Sequence, residues 1–74
     1  MIQELERVVL TKDLPEEHLQ AGDLGTVVLV HGKGAAYEVE FLTLKGRTLA
    51  VVTLEASEVR PIGPGDIPHA RKVA

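Results

Sequence analysis

The sequence predicts an all-β protein with a single small core. Four or five short runs of strand length are separated by tight turns, most of them marked by glycine. One run, Ala35 to Leu42, alternates apolar and charged side chains with a period of two, which is typical of a half-buried antiparallel strand. With 74 residues, 45% hydrophobic and 26% charged, the chain has room for one domain and no second. Short antiparallel strands joined by tight turns predict a small, strongly bent barrel.

The first strand is predicted over Arg7 to Thr11, after a short acidic lead-in. By the two-residue period, Val8 and Leu10 share one face of this strand and Val9 lies on the other. We expect Val8 and Leu10 to point into the core and Val9 to point outward.

A polar segment from Lys12 to Gln20 follows. Pro15 favours a single helical turn here, because the first position of such a turn needs no N–H donor. Leu14 and Leu19 are then expected to tuck under the turn and close one end of the core. Ala21 to Gly25 is predicted to be a tight turn, in which glycine adopts positive φ and aspartate bonds to the backbone.

The second strand is predicted over Thr26 to His31, which is apolar at nearly every position. The glycine-rich stretch from His31 to Gly34 reverses the chain into the third strand, Ala35 to Leu42. In that strand the two aromatic residues and a valine share the face expected to line the core, while two glutamates point the other way.

A hairpin turn at Leu44 to Arg47 and a fourth strand over Thr48 to Leu54 come next. Glu55 to Glu58 is predicted to form one short 3-10 turn before a brief last strand from Val59 to Ile62. This pattern predicts a five-stranded SH3-like antiparallel barrel over residues 1–62. The rival, an oligonucleotide-binding barrel, needs a helix between its third and fourth strands, and the hairpin turn leaves no room for one. Residues 63–74 are predicted to be a flexible C-terminal tail, ordered only if it docks.

Four segments carry recurrent patterns: T-x-D-L-P at Thr11 to Pro15, A-G-D-x-G-T-V-V at Ala21 to Val28, Y-x-V-E-F at Tyr37 to Phe41, and T-L-x-x-x-x-L-R-P at Thr53 to Pro61, where Val59 stands in the place of the leucine. Together they resemble the small bacterial family called domain of unknown function 4926, over residues 7–61. The resemblance implies an SH3-like barrel that acts as a binding module or as the partner of a neighbouring gene product. It implies no functional residues, because that family is itself uncharacterised.

The charge of the chain is uneven, with −3 overall and −4 over residues 1–25. Nucleic-acid binding draws its affinity from a basic surface that neutralises phosphates, and the sequence offers no such surface. No apolar run approaches the roughly 20 residues of a membrane helix. The acidic N-terminus does not match a secretory signal. We therefore expect a cytoplasmic protein with neither a membrane nor a nucleic-acid partner.

No pattern in the sequence predicts catalysis, a cofactor or a metal site, so we expect the protein not to be an enzyme. His18, His31 and His69 share no ligand spacing, and the chain has no cysteine. The single serine, Ser57, lacks a nucleophile frame and is expected to cap its turn. The loop from His31 to Gly34 feeds a strand rather than the helix of a phosphate loop. The two glutamates of the third strand, Glu38 and Glu40, are expected to lie on a solvated face, where pairing with Lys or Arg of a neighbouring strand is the alternative.

The aliphatic residues outnumber the positions that so small a core can bury. Three groups of aliphatic side chains are therefore expected to lie outside the core: Val9, one alternate set within Val27 to Val30, and one within Leu49 to Val52. Exposed aliphatic residues on strands mark contact surfaces. Alternatively, bulges turn these sets partly inward or the tail folds over them. The candidate residues for a protein contact are the valines Val9, Val28 and Val30 and the acidic residues Glu16, Glu17 and Asp23.

These observations favour a non-catalytic interaction module, either a subunit or partner of another protein or a homo-oligomer, that binds through a sheet edge or an outer apolar face. Two alternatives stay open. The turn containing Gly22, Asp23 and Gly25 is similar to that of nucleic-acid-associated KOW barrels, although charge and the scarcity of aromatic residues oppose this interpretation. An accessory or regulatory subunit of an enzyme would place the acidic residues against a basic partner.

Overall fold

The computed structural model describes residues 2–73, which form one antiparallel sheet of five strands. Its order is β4-β3-β2-β1-β5. Two 3-10 turns, Pro15–Glu17 and Ala56–Glu58, are the only helical segments in the described residues. The predicted all-β class and all five predicted strands are confirmed. The strands are β1 (Arg7–Leu10), β2 (Leu24–His31), β3 (Ala36–Leu42), β4 (Thr48–Glu55) and β5 (Val59–Pro61).

The sheet is open in the described part of the chain, so its closure into a barrel is not confirmed. β4 and β5 are its two edges and do not pair with each other. Both edges nevertheless contribute to one core, since Leu54 of β4 is 2% exposed and Val59 of β5 is 6% exposed. The 3-10 turn Ala56–Glu58 is the whole connection between these two edge strands.

β2 begins two residues earlier than the sequence predicts, because Gly25 is a buried strand residue opposite Val8. A Cβ at Gly25 would overlap Val39 Cγ1 and lie 2.9 Å from Phe41 Cε1. This position therefore needs glycine for close packing rather than for a turn. The positive φ of the preceding turn belongs to Gly22, at 98°.

The core is one cluster of buried side chains, and the inward-facing residues predicted for β1 and β3 all belong to it, which confirms those predictions. Leu19 is buried and Leu14 is half-buried against the cluster, and two backbone hydrogen bonds of 2.9 and 3.1 Å join these two leucines. They close one end of the core, as predicted. The buried members are Val8, Leu10, Leu19, Val27, Tyr37, Val39, Phe41, Leu54 and Val59.

The C-terminal tail, residues 63–73 in the structure, has no helix or strand but contacts the domain at two points. Both guanidinium Nη atoms of Arg60 donate to the Asp66 carboxylate at 2.9 Å, and Asp66 Oδ2 also accepts from the Gly63 N–H at 2.7 Å. Further along, Arg71 forms an ion pair with Asp23, in the turn before β2. The tail is therefore docked, which is the condition under which the sequence predicts order for it.

Candidate functional site

β4 is a free sheet edge in the described chain. It pairs with β3 on one side, and no strand of residues 2–73 lies on the other. From Thr48 to Leu54 it has no charged residue and no proline, although natural edge strands are commonly protected by one or the other. The opposite edge, β5, is three residues long and ends at Pro61. β4 therefore offers unpaired main-chain donors and acceptors to another strand.

Exposed aliphatic side chains lie on β4 itself and on β2, which is separated from β4 by β3. Leu29 stands opposite Glu38 in the β2–β3 ladder and Val51 opposite Glu40 in the β3–β4 ladder. Leu29 is 44% exposed, Val51 is 55% exposed and Val28, next to Leu29, is 40% exposed. We call these three residues, Val28, Leu29 and Val51, the outer patch.

The prediction that Val30 faces outward with Val28 is wrong. A bulge interrupts the β2–β3 register between Val27 and Leu29, and it leaves both Val28 and Leu29 exposed. The alternation then resumes one residue later, so Val30 packs half-buried against the core. A bulge that turns part of the valine set inward was one of the alternatives that the sequence left open.

The prediction that Val9 points outward is also wrong, because its side chain is only 5% exposed. One face of β1 carries Val8 and Leu10 into the core. On the other, Val9 lines a cleft whose opposite wall is the C-terminal tail. Val9 is therefore not part of an exposed outer face of the sheet.

The two glutamates on the outer face of β3 bind hydroxyl and imidazole groups, and neither forms an ion pair with a Lys or Arg of the described residues. Glu38 Oε2 accepts from Thr53 Oγ1 at 2.5 Å and lies 2.7 Å from His31 Nε2. Glu40 Oε2 accepts from Thr48 Oγ1 at 2.8 Å. The hydrogen bonds from Thr53 and then His31 lower the pKa of Glu38. A carboxylate held in its ionised form is poorly suited to act as a general acid at neutral pH.

Of the three acidic residues predicted to contact a partner, Asp23 is already engaged within the chain. Arg71 Nε donates to Asp23 Oδ1 at 2.9 Å, and Arg71 Nη2 donates to Asp23 Oδ2 at 2.6 Å and to His18 O at 3.0 Å. We call this arrangement the Arg71 clasp. Burial alone would raise the pKa of Asp23, but the Arg71 hydrogen bond, the Gln20 N–H and the Arg71 charge outweigh burial and lower that pKa. While the clasp is closed, this carboxylate is not open to a partner.

Glu16 and Glu17 lie in the first 3-10 turn, directly after Pro15, and both are exposed. Neither forms an ion pair with any residue from 2 to 73. Of the three acidic residues predicted to contact a partner, these two are exposed without an ion pair in the described chain, and the third, Asp23, is paired with Arg71.

The tail also forms part of the wall of a cleft that no pattern in the sequence predicts. The cleft has a volume of about 790 Å³, and its apolar lining includes Val9, Phe41 and Leu49. Binding clefts for small ligands span roughly 300 to 1,000 Å³. Arg71 lies in a segment without hydrophobic periodicity, and the sequence around a single arginine does not indicate which residue it binds. The Arg71 clasp and the cleft could therefore not be found from sequence patterns.

The remaining predicted positions do not assemble a reaction centre in the described residues. Within residues 2–73, no three His, Asp or Glu side chains are grouped as metal ligands would be. Ser57 does not cap its turn as predicted, because the Glu58 carboxylate accepts from the Glu55 N–H at 2.7 Å instead. No helix among the described residues has the length and apolar character needed to cross a membrane.

The comparisons with known proteins agree with the resemblance noted in the sequence. A family model described as a domain of unknown function (DUF4926) matches residues 4–61. This segment begins just before β1, ends with β5, and leaves the docked tail outside it. Neither the curated proteins nor the solved structures yield a match. The chain therefore belongs to the DUF4926 family.

Proposed function

We propose that this protein is a non-catalytic interaction module of the bacterial cytoplasm with an SH3-like architecture, acting as a small subunit or partner of another protein or as a homo-oligomer. The observation that carries the proposal is the free edge of β4, with its uncharged stretch from Thr48 to Leu54. An incoming strand would gain main-chain hydrogen bonds along this edge, and neighbouring side chains would select it.

The exposed side chains of the outer patch also favour binding of a partner to this side of the sheet. Val28, Leu29 and Val51 are between 40% and 55% exposed, so a partner that covers them removes apolar surface from water in addition to the edge hydrogen bonds. Recognition of proline-rich peptides is a poor fit, because such grooves are lined by exposed aromatic rings. The only two aromatic residues, Tyr37 and Phe41, are 3% and 2% exposed.

One observation favours the second candidate function, an accessory or regulatory subunit of an enzyme. Glu16 and Glu17 present two adjacent carboxylates that form no ion pair within residues 2–73 and that suit a basic partner. Replacing both with lysine should slow such an association, and unchanged binding would argue against this role. The nucleic-acid alternative has no comparable support, since the net charge is −3.

The test is capture of the tagged protein from its native cells, with mass spectrometry and light scattering of the eluate, for the wild type and two variants. Val51→Lys places a charge at the exposed edge, where it should block strand addition. Ile67→Lys adds the same charge to a side chain that is 86% exposed in the tail. We expect a stoichiometric companion or a homo-oligomer that Val51→Lys abolishes and Ile67→Lys keeps. A monomer with no companion, or an assembly unaffected by Val51→Lys, would contradict the proposal.

A further inference from the structure

The Arg71 clasp is a complete recognition site for a guanidinium group. Three acceptor atoms converge on the side chain of Arg71, namely both carboxylate oxygens of Asp23 and the carbonyl oxygen of His18, at 2.6 to 3.0 Å. The Asp23 side chain is 17% exposed and that of Arg71 is 25% exposed, so the pair is partly shielded from water. Paired hydrogen bonds of this kind select arginine over lysine by geometry as well as by charge.

The tail is held at this site by little besides Arg71. None of residues 67–70 forms a hydrogen bond to a described residue, and Ile67 is 86% exposed although it lines the cleft. The apolar cleft of about 790 Å³ below this stretch is consequently not filled by the tail. Removing the Arg71 side chain should therefore free the site without disturbing the core, to which the tail contributes no buried residue.

The acceptors and the donor belong to different parts of the chain. Asp23 and His18 lie within residues 4–61, the segment that matches the family, whereas Arg71 follows it. A further carboxylate lies close to the acceptors, since Asp13 Oδ1 accepts from the Ala21 N–H, two residues before Asp23, at 2.9 Å. A second cleft, of about 340 Å³, lies between Asp13 and Pro15 on one side and Arg71 and Lys72 on the other. A ligand with further cations beside its arginine would thus meet complementary charge.

We propose that Asp23, His18 and the adjoining apolar cleft form a binding site for an arginine-bearing basic segment of a partner protein, and that Arg71 occupies this site in the free protein. The inference rests on the proposed role as an interaction module, but it concerns a different surface from β4. Because the tail is tethered, its arginine acts at a high effective concentration, and a partner segment must outcompete it. The tail therefore sets the affinity threshold that a partner has to exceed.

The test uses full-length chains and a fluorescein-labelled peptide that copies residues 63–74, followed by fluorescence polarisation. We expect Arg71→Ala to bind this peptide at least about tenfold more tightly than the wild type does, because the tethered competitor is gone. A second peptide carries citrulline, which is neutral and nearly isosteric, in place of arginine, and Arg71→Ala should bind it at least about tenfold more weakly.

Two double variants locate the binding. Adding Asp23→Asn to Arg71→Ala should abolish the preference for arginine over citrulline, whereas adding Asp66→Asn, at the other arginine–carboxylate pair, should preserve it. Circular dichroism verifies that each variant is folded. Equal binding of both peptides, or no binding to folded Arg71→Ala, would overturn the proposal.

Light scattering separates a partner protein from a second copy as the occupant. If the wild type forms a dimer that Arg71→Ala dissociates, the tail of a second copy fills the site and the proposal is overturned. Since no step of the peptide assay involves β4, its outcome is independent of the Val51→Lys experiment, and the two proposals fail separately.

Discussion

Replacing Gly25 by alanine tests how tightly β2 and β3 are packed. Gly25 is buried opposite Val8, and an added Cβ would overlap Val39 Cγ1 and approach Phe41 Cε1 to 2.9 Å and the Glu40 carbonyl oxygen to 3.2 Å. Val39 is 0% and Phe41 is 2% exposed, so neither can swing into solvent to make room. Overpacking of this kind costs about 1 to 3 kcal/mol.

A smaller effect acts in the opposite direction. Alanine restricts the unfolded chain more than glycine does, which stabilises the folded state by about 0.4 to 1 kcal/mol where the backbone conformation is compatible. The φ of Gly25 is not in the positive range, so this gain applies. The cost of the clash exceeds this gain, and we expect Gly25→Ala to lower the free energy of unfolding by about 1 to 2 kcal/mol. In a domain of this size that lowers Tm by roughly 5 to 15 °C.

Urea unfolding followed by far-UV circular dichroism measures this loss, and two other glycines are controls. A Cβ at Gly65 would meet nothing within 4 Å, and its φ is not positive, so Gly65→Ala should show only the gain from the restricted unfolded chain, about 0.4 to 1 kcal/mol. Gly22 is equally open but has a φ of 98°, so Gly22→Ala should cost about 1 kcal/mol through backbone strain alone. If Gly25→Ala were as stable as the wild type, the close packing of β2 on β3 would not be what requires glycine there.

Two further substitutions test the clasp and the core. Arg71→Ala should raise the pKa of Asp23, because the hydrogen bond that most stabilises its ionised form is lost while burial still favours the protonated acid. A carbon-13 NMR titration of the Asp23 carboxyl measures this pKa, and an unchanged value would exclude the clasp. The lowered pKa in the wild type means that the clasp stabilises the protein above the ordinary range of aspartate and that this contribution is lost as the pH falls through the lowered value. Leu54→Ala should cost about 2 to 5 kcal/mol, since this side chain is 2% exposed; a loss below about 1 kcal/mol in urea unfolding would show that the edge strand does not seal the core.

The parts of the fold that follow from local patterns were predictable. The clean alternation of β3 identified its inward face. Turns with glycine separated the first four strands, and a short 3-10 turn separated β4 from β5. The predictions failed where a nonlocal contact decides the outcome. The bulge at Val28 reverses the orientation of Val30, and nothing within an uninterrupted run of valine and leucine indicates where such an extra residue falls.

The candidate sites show the same division. The exposed Glu16 and Glu17 follow from a short turn with Pro15 at its start. The ion pair of Asp23 could not be predicted from the sequence, because its partner, Arg71, lies 48 positions away in a segment without periodicity. Gly25 was predicted to belong to a turn because it is a glycine. In the structure it is a strand residue, and the close packing of side chains from β3 explains why glycine is needed there.

The pairing of β1 with β5 has a consequence for the order in which the sheet assembles. The hairpins β2–β3 and β3–β4 each span a loop of a few residues, whereas β1 meets β5 only after a connection of roughly 50 residues is closed. Loop-closure entropy makes that late contact about 2 kcal/mol more costly than a hairpin when the chain is still unfolded. The meander of β2, β3 and β4 can therefore form first, and β1 and β5 then pair on it. Once the meander has formed, it already holds most of the connection between β1 and β5 in place, so the remaining loop-closure entropy of pairing β5 with β1 is small.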